Sequence, residues 1–275
     1  MDSPLQKYTR QPKLYISLPH GGKWYSKNNI TKTEDIEVYS MTANDEIALK
    51  VPDGLYSGKV VTEVIKNCIP SIKDPWMIPM TDFDYLLASI RLASYGETIN
   101  VESKCKKCEN IDTFGIEVQS VLNHFESIEF VPDVKINDFL FRMRPLYYKE
   151  ASDLSKISMQ VQRTLMQSIP KIEDPDERQE SIDALYAQIN QATLNAVAAT
   201  VVDISTPDGE VESQPQIVQD FIKNSDPVFF NTLQEAYKKN TEKFAIPVSD
   251  VECSECGTKS QIAPNLDYAN FFGIG

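Results

Sequence analysis

Histidine is nearly missing from this chain. Two occur in 275 residues, His20 and His124. A metal centre built on imidazole therefore has almost nothing to draw on. No apolar run approaches the roughly 20 residues a membrane span needs, and Met1-Asp-Ser-Pro-Leu-Gln-Lys has no hydrophobic signal region. Basic residues are also short, 27 Lys and Arg against 40 Asp and Glu, a net charge of −13. A nucleic-acid surface needs clustered cations to displace counterions, so that balance argues against one. The cluster Lys104, Lys106 and Lys107 is a local exception and reads as a solvated turn.

The catalytic templates are missing as well. Gly54-Leu-Tyr-Ser-Gly58-Lys59 has three residues between its glycines where a phosphate loop has four, and Val60 stands where Ser or Thr should hold magnesium. There is no His-Glu-x-x-His, Gly-x-Ser-x-Gly or Gly-x-Gly-x-x-Gly. Asp82 and Asp84 read as first-turn residues of a helix rather than as an acid/base pair. His20, in a glycine-rich turn, reads as a solvent-exposed loop histidine. The chain is expected not to be an enzyme and to have no small-molecule substrate.

What the chain does carry is cysteine in pairs. Cys105/Cys108 and Cys253/Cys256 are two Cys-x-x-Cys turns. A tetrahedral zinc site takes four soft ligands, two from each of two short turns. Strand-like runs flank both turns: Thr98–Val101 and Thr113–Val118 around the first, Ile246–Val248 and Lys259–Ile262 around the second. The backbone after the second cysteine of such a knuckle favours positive φ, which Gly257 supplies directly and Asn110 tolerates two residues on. One shared Zn2+ bound by Cys105, Cys108, Cys253 and Cys256 would be structural, because four thiolates leave no open position for water. The competing readings are a redox pair and four unlinked thiols. With no other paired cysteines, the set fits a reducing compartment. Cys68, ending an apolar helix, reads as a buried packing thiol.

The pattern along the chain predicts an α+β fold in five parts. Residues 1–40 form an arm of strands and a turn with aromatic anchors, Trp24 and Tyr25. Residues 41–96 form a helical core: a short helix Asp45–Lys50 opened by Thr42-Ala-Asn-Asp45, a break at Pro52-Asp53-Gly54, a helix from about Ser57 to Cys68, and a helix capped by Thr81 and ended by Gly96. In the last, Phe83, Leu86, Leu87 and Ile90 share one face. Residues 97–125 are the first half of a split zinc ribbon. Residues 126–244 are a mixed, mainly helical insertion. Its strand Phe139–Met143 precedes a helix from Tyr147 to about Ile169, the run Glu173–Glu177 reads as a solvated loop, and a long helix from Pro175 yields to a strand near residue 200. The turn Thr206-Pro-Asp-Gly209 and two more helices, divided at Asp226-Pro227, complete it. Residues 245–275 hold the second ribbon half and a tail.

The order of the motifs resembles a known family. Leu18-Pro-His-Gly-Gly-Lys-Trp-Tyr25, Met41-Thr-Ala-Asn-Asp-Glu46, Leu55-Tyr-Ser-Gly58, Cys68-Ile-Pro70, Asp84-Tyr-Leu-Leu87, Ile90-Arg91 with Ser94-Tyr-Gly96, and then Cys105-x-x-Cys108 follow one another as in the baseplate hub subunits and hub assembly proteins of T-even-like contractile-tailed bacteriophages. The likeness is densest over residues 14–118. It resumes with Ile204, Asp208-Gly209, the second Cys-x-x-Cys and Phe271-Phe272. The resemblance implies a structural or assembly role in the virion tail baseplate, assembled in the host cytoplasm, with other baseplate and tail proteins as partners. It also implies a rival, because family members differ in whether they stay in the particle: a transient assembly chaperone absent from the virion. A rival of another class is a zinc-ribbon nucleic-acid-binding module, which needs a basic ribbon face where this chain has Asp250, Glu252 and Glu255.

Overall fold

The computed structural model describes residues 10–51 and 57–263. The expected break at Pro52-Asp53-Gly54, most of the Gly54–Gly58 loop, and Phe271-Phe272 lie outside the described residues. The fold is mixed helix and sheet, with eight α-helices and four small antiparallel sheets among the described residues. It divides into two compact units. Among the described residues, one is formed by those up to Glu129 together with those from Phe244, the other by Phe130–Lys243.

The first unit opens with the two-stranded sheet β1 (Leu14–Ile16) and β2 (Ile36–Val38). Helices α1 (Ala43–Leu49), α2 (Lys59–Cys68) and α3 (Met80–Tyr95) follow. A capping box starts α1: the Thr42 hydroxyl accepts from the Asp45 amide at 3.2 Å, and the Asp45 carboxylate accepts from the Thr42 amide at 2.8 Å. Phe83, Leu86, Leu87 and Ile90 of α3 are buried, as their spacing predicts. The start of α3 differs from expectation. Pro79 occupies the N-cap position, and the Thr81 hydroxyl is buried and donates to the Asp82 carboxylate at 3.0 Å. Proline's fixed φ suits the helix entry, so no side-chain cap is required there. Asp82 is buried rather than solvated at the helix end.

The ribbon halves belong to this unit. Strands β3 (Thr98–Lys104) and β4 (Ile111–Glu117) form one hairpin, β9 (Ser249–Glu252) and β10 (Lys259–Ile262) the other. The strand before the second knuckle therefore lies three residues later than Ile246–Val248, where Pro247 interrupts the ladder by lacking an amide proton. The strand expected to reach Val118 stops at Glu117, and α4 (Val118–Ser127) begins. Val118, Val121, Leu122 and Phe125 of α4 are buried at i, i+3, i+4, i+7, a helical period that overrides the β-propensity of Val118.

The second unit is built on a four-stranded antiparallel sheet in the order β5 (Asp133–Ile136), β6 (Phe139–Met143), β7 (Val201–Ser205), β8 (Val211–Glu212). Phe141 pairs with Ile204, and the β6–β7 register shifts between Arg142 and Met143. Between β6 and β7 the chain makes a helical hairpin, α5 (Tyr148–Gln167) and α6 (Pro175–Thr200). Arg144 joins the sheet to α5 with a two-pronged ion pair to Glu150, at 2.9 and 2.6 Å, and stacks on Tyr147. The acidic run is more than a solvated loop. Asp174 caps α6, accepting from the amides of Asp176 and Glu177, with Pro175 in the first turn. Helices α7 (Pro215–Lys223) and α8 (Pro227–Glu242) close the sheet. Phe141 meets Phe229 edge-on at 5.3 Å, and Asp226 caps α8 through the Phe229 amide. Of the apolar residues on and just after these helices, Val161 and Ile169 are buried, while Leu154, Ile157, Ile182 and Ile189 are half-exposed.

Candidate metal centre

Two hairpins with one shared local geometry make the site. In the first, the Cys105 amide donates to the Asn110 carbonyl at 2.8 Å and the Glu109 amide donates to the Cys105 carbonyl at 3.0 Å. In the second, the Cys253 amide donates to the Thr258 carbonyl and the Gly257 amide to the Cys253 carbonyl, both at 3.0 Å. The offsets are identical, five residues and four. Each loop fills the space between the last ladder pair of its hairpin, Lys104 with Ile111 and Glu252 with Lys259. The turn needs positive φ immediately after its second cysteine. Gly257 meets that at φ 66°, and in the first knuckle the residue is Glu109 at φ 61°, not Asn110. The conformation is set by the loop's two hydrogen bonds, and an ion pair between Glu109 and Lys104 at 3.0 Å accompanies it.

The hairpins bring the four sulfurs together. Cys105 Sγ lies 3.6 Å from Cys256 Sγ, and Cys108 Sγ 3.5 Å from Cys253 Sγ. All four fall within 4.8 Å of one another. A disulfide needs about 2.05 Å, so neither cross-pair is bonded. Zn–S bonds of about 2.3 Å in a tetrahedron set sulfur–sulfur edges near 3.8 Å, so the group is sized for a metal ion of that kind.

Hydrogen bonds prepare the sulfurs unequally. The Thr258 hydroxyl, 3.1 Å from Cys256 Sγ, and the Thr258 amide hold the Cys256 thiol down to about 6. Cys105 is lowered by the backbone amides of Cys108 and Lys107. The Asn110 amide pulls Cys108 the same way. The crowding of Cys256, Cys253 and Cys105 outweighs it and pushes Cys108 up to about 12. Four thiolates cannot be charged together at this spacing without a cation among them.

A carboxylate that sequence reasoning did not single out ties the knuckles together. Asp112, on β4, accepts from the Ser254 hydroxyl at 2.5 Å, the Ser254 amide at 3.1 Å and the Asn110 side-chain amide at 2.9 Å. These donors hold its own carboxyl below the usual range, Ser254 foremost. Ser254 sits between the two cysteines of the second turn, so Asp112 fixes one turn against the other. His124 of α4 adds a second tie, its Nε2 donating to the Ala245 carbonyl at 3.1 Å. The one sequence signal for Asp112 is its place two residues beyond Asn110. Its partner 142 residues away cannot be read from the chain.

The remaining singled-out residues lie elsewhere. Cys68 is fully buried at the end of α2, and burial pushes its thiol up to about 12. His20 is not the exposed loop residue expected: at φ 56° its Nε2 is buried. The residue as a whole is half-buried. Trp24 and Tyr25 are both half-buried. Lys104, Lys106 and Lys107 are exposed on the first knuckle, while Asp250, Glu252 and Glu255 are exposed on the second. Among the described residues no helix is long and apolar enough to cross a membrane.

No curated protein and no solved structure matches this chain. A family model does, that of the T4 bacteriophage base plate protein, over residues 17–273, a span containing both cysteine pairs and the whole second unit. The chain belongs to the T4 bacteriophage base plate protein family.

Proposed function

We propose that this baseplate protein works as a structural or assembly subunit in the hub region of a contractile tail, with one structural Zn2+ held by Cys105, Cys108, Cys253 and Cys256. The observation that carries the reading is family membership across a span that includes all four cysteines, whose sulfurs converge on one point. Four sulfurs fill a tetrahedral shell, so the metal supplies binding energy to the fold and leaves no site for substrate or water. Zinc closes the loop of 144 residues between Cys108 and Cys253 and pins both ends of the insertion, residues 126–244, to the core. The arm at 1–40, the helical core at 41–96 and the ribbon halves at 97–125 and 245–275 are the frame. The insertion is the part that meets other tail proteins. Exposed acids on the second knuckle, Asp250, Glu252 and Glu255, favour protein over nucleic acid as the partner.

A chain in which residues 150–200 are replaced by a short Gly-Ser bridge tests this. It removes the α5–α6 hairpin and leaves the cysteines untouched. The expected product is folded, binds zinc and fails to complete baseplates when supplied to phage lacking the wild-type protein. Infectious particles from that variant would contradict the assembly role of the insertion.

A further inference from the structure

We propose that the groove between β8 and α7 is a docking site for an extended, basic segment of a partner polypeptide with apolar anchors. The proposal deepens the assembly reading and rests on it. The groove floor is apolar: Phe139, Ile204, Ile217, Val218 and Phe221 line a cleft between the outer sheet edge and the helix. It runs on past Phe139 and Phe221 toward Phe229. Three of its apolar residues stay in water, Val211 at 63%, Ile217 at 46% and Phe221 at 41% exposure. They are contiguous, unlike the scattered exposed apolar residues any protein carries.

Charge identifies the occupant. Glu210, Glu212, Asp220 and Asp226 line the cleft, and among the described residues no lysine or arginine does. None of the four acids takes part in an ion pair among the described residues. A chain of net charge −13 would bring more acid to this rim, so a second copy is the wrong complement. A segment alternating Lys or Arg with Val or Leu suits both the rim and the floor. The strand β8 is two residues long and terminates the sheet, so among the described residues its outer edge pairs with no strand and offers a place for an added one. Alternate side chains of such a strand would face the floor and the rim in turn.

The test uses full-length protein and three labelled nine-residue peptides, alternating lysine–valine, lysine–serine and glutamate–valine, read by fluorescence anisotropy at low salt. The lysine–valine peptide should bind at least tenfold tighter than either control and weaken as salt rises. Ile217→Asp should abolish that preference, and Glu210→Gln with Asp220→Asn should weaken it at least fivefold. Ile217→Ser, milder at the same half-exposed position, guards against a folding defect, with circular dichroism as the control. Equal binding of all three peptides, or binding unchanged in these variants, would overturn the proposal. So would a wild-type dimer that Ile217→Asp dissociates, since the groove would then hold a second copy. None of these results depends on whether the protein is found in particles, so the groove can fail while the baseplate reading stands.

Discussion

Asp82 is an ionisable residue of the first unit that the fold takes out of water. It is buried in the first turn of α3, and burial raises its carboxyl to about 7, against the smaller pull of the Thr81 and Tyr25 hydroxyls. The helix dipole at this position favours the anion by only about 0.3–1 kcal/mol. The unfolded carboxyl titrates near 3.9, so the folded state holds a proton that the unfolded state releases between about pH 4 and 7. This contribution to stability is complete below pH 4 and is lost as pH rises to 7. Asp82→Asn should remove that loss and gain on the order of 2–4 kcal/mol at pH 8. Urea unfolding of variant and wild type at each pH checks it, and pairing the two cancels the acid sensitivity of the thiols. Asp84, pushed up to about 6 by burial, leaves a residual slope of the same sign. No gain at pH 8 would mean that the Asp82 anion is well accommodated. Asp112 acts in the opposite sense, since Asp112→Ala loses two ties between the knuckles. Loss of a ligand-orienting partner typically costs about 10–100-fold in metal affinity, and competition with a chromogenic chelator measures it.

At the scale of elements, the two knuckles are one device used twice, and the central strand is the other fixed point. Phe141 on β6 is fully buried between Ile204 and Phe229, so Phe141→Ala should cost about 3–5 kcal/mol and expose the second unit to proteolysis. A loss under 1 kcal/mol would mean that the sheet is not the core of that unit. Much of this is legible in the sequence, wherever a local rule decides the outcome. The Thr42 box, the Phe83–Ile90 stripe, the proline-led α6 and the matched Cys-x-x-Cys turns follow from propensity, periodicity and spacing. The misses fall where a tertiary partner decides. The start of α4 reads as strand because Val118 and Ile116 favour β structure, and only burial of Phe125 reveals the helix face. Pro79 stands at the N-cap in place of Thr81 because a buried Asp82 claims the threonine hydroxyl. Strand β5 hides because its four residues carry two charges and only Ile136 is buried. Glu109 at positive φ could not be chosen over Asn110 by residue preference, because the loop's hydrogen bonds select the position.

At the scale of the molecule, the proposed zinc clasp would close the first unit with a metal, whereas the second is closed by its own sheet. Chelation should therefore act on one and not the other. Calorimetry with a strong chelator should shift the unfolding of the first unit down by about 10 °C or more and leave that of Phe130–Lys243 in place, and Cys256→Ser should reproduce the shift. Unfolding of both in one chelator-insensitive transition would rule out a zinc clasp. Beyond stability, the proposed role makes this protein a lasting part of the baseplate, and quantitative mass spectrometry of purified particles decides that. Peptides from both units, Thr98–Glu117 and Phe130–Lys243 alike, should appear in a fixed whole-number ratio to the other baseplate subunits. Abundant protein in infected cells with none in finished particles would contradict the role and leave a transient assembly factor in its place.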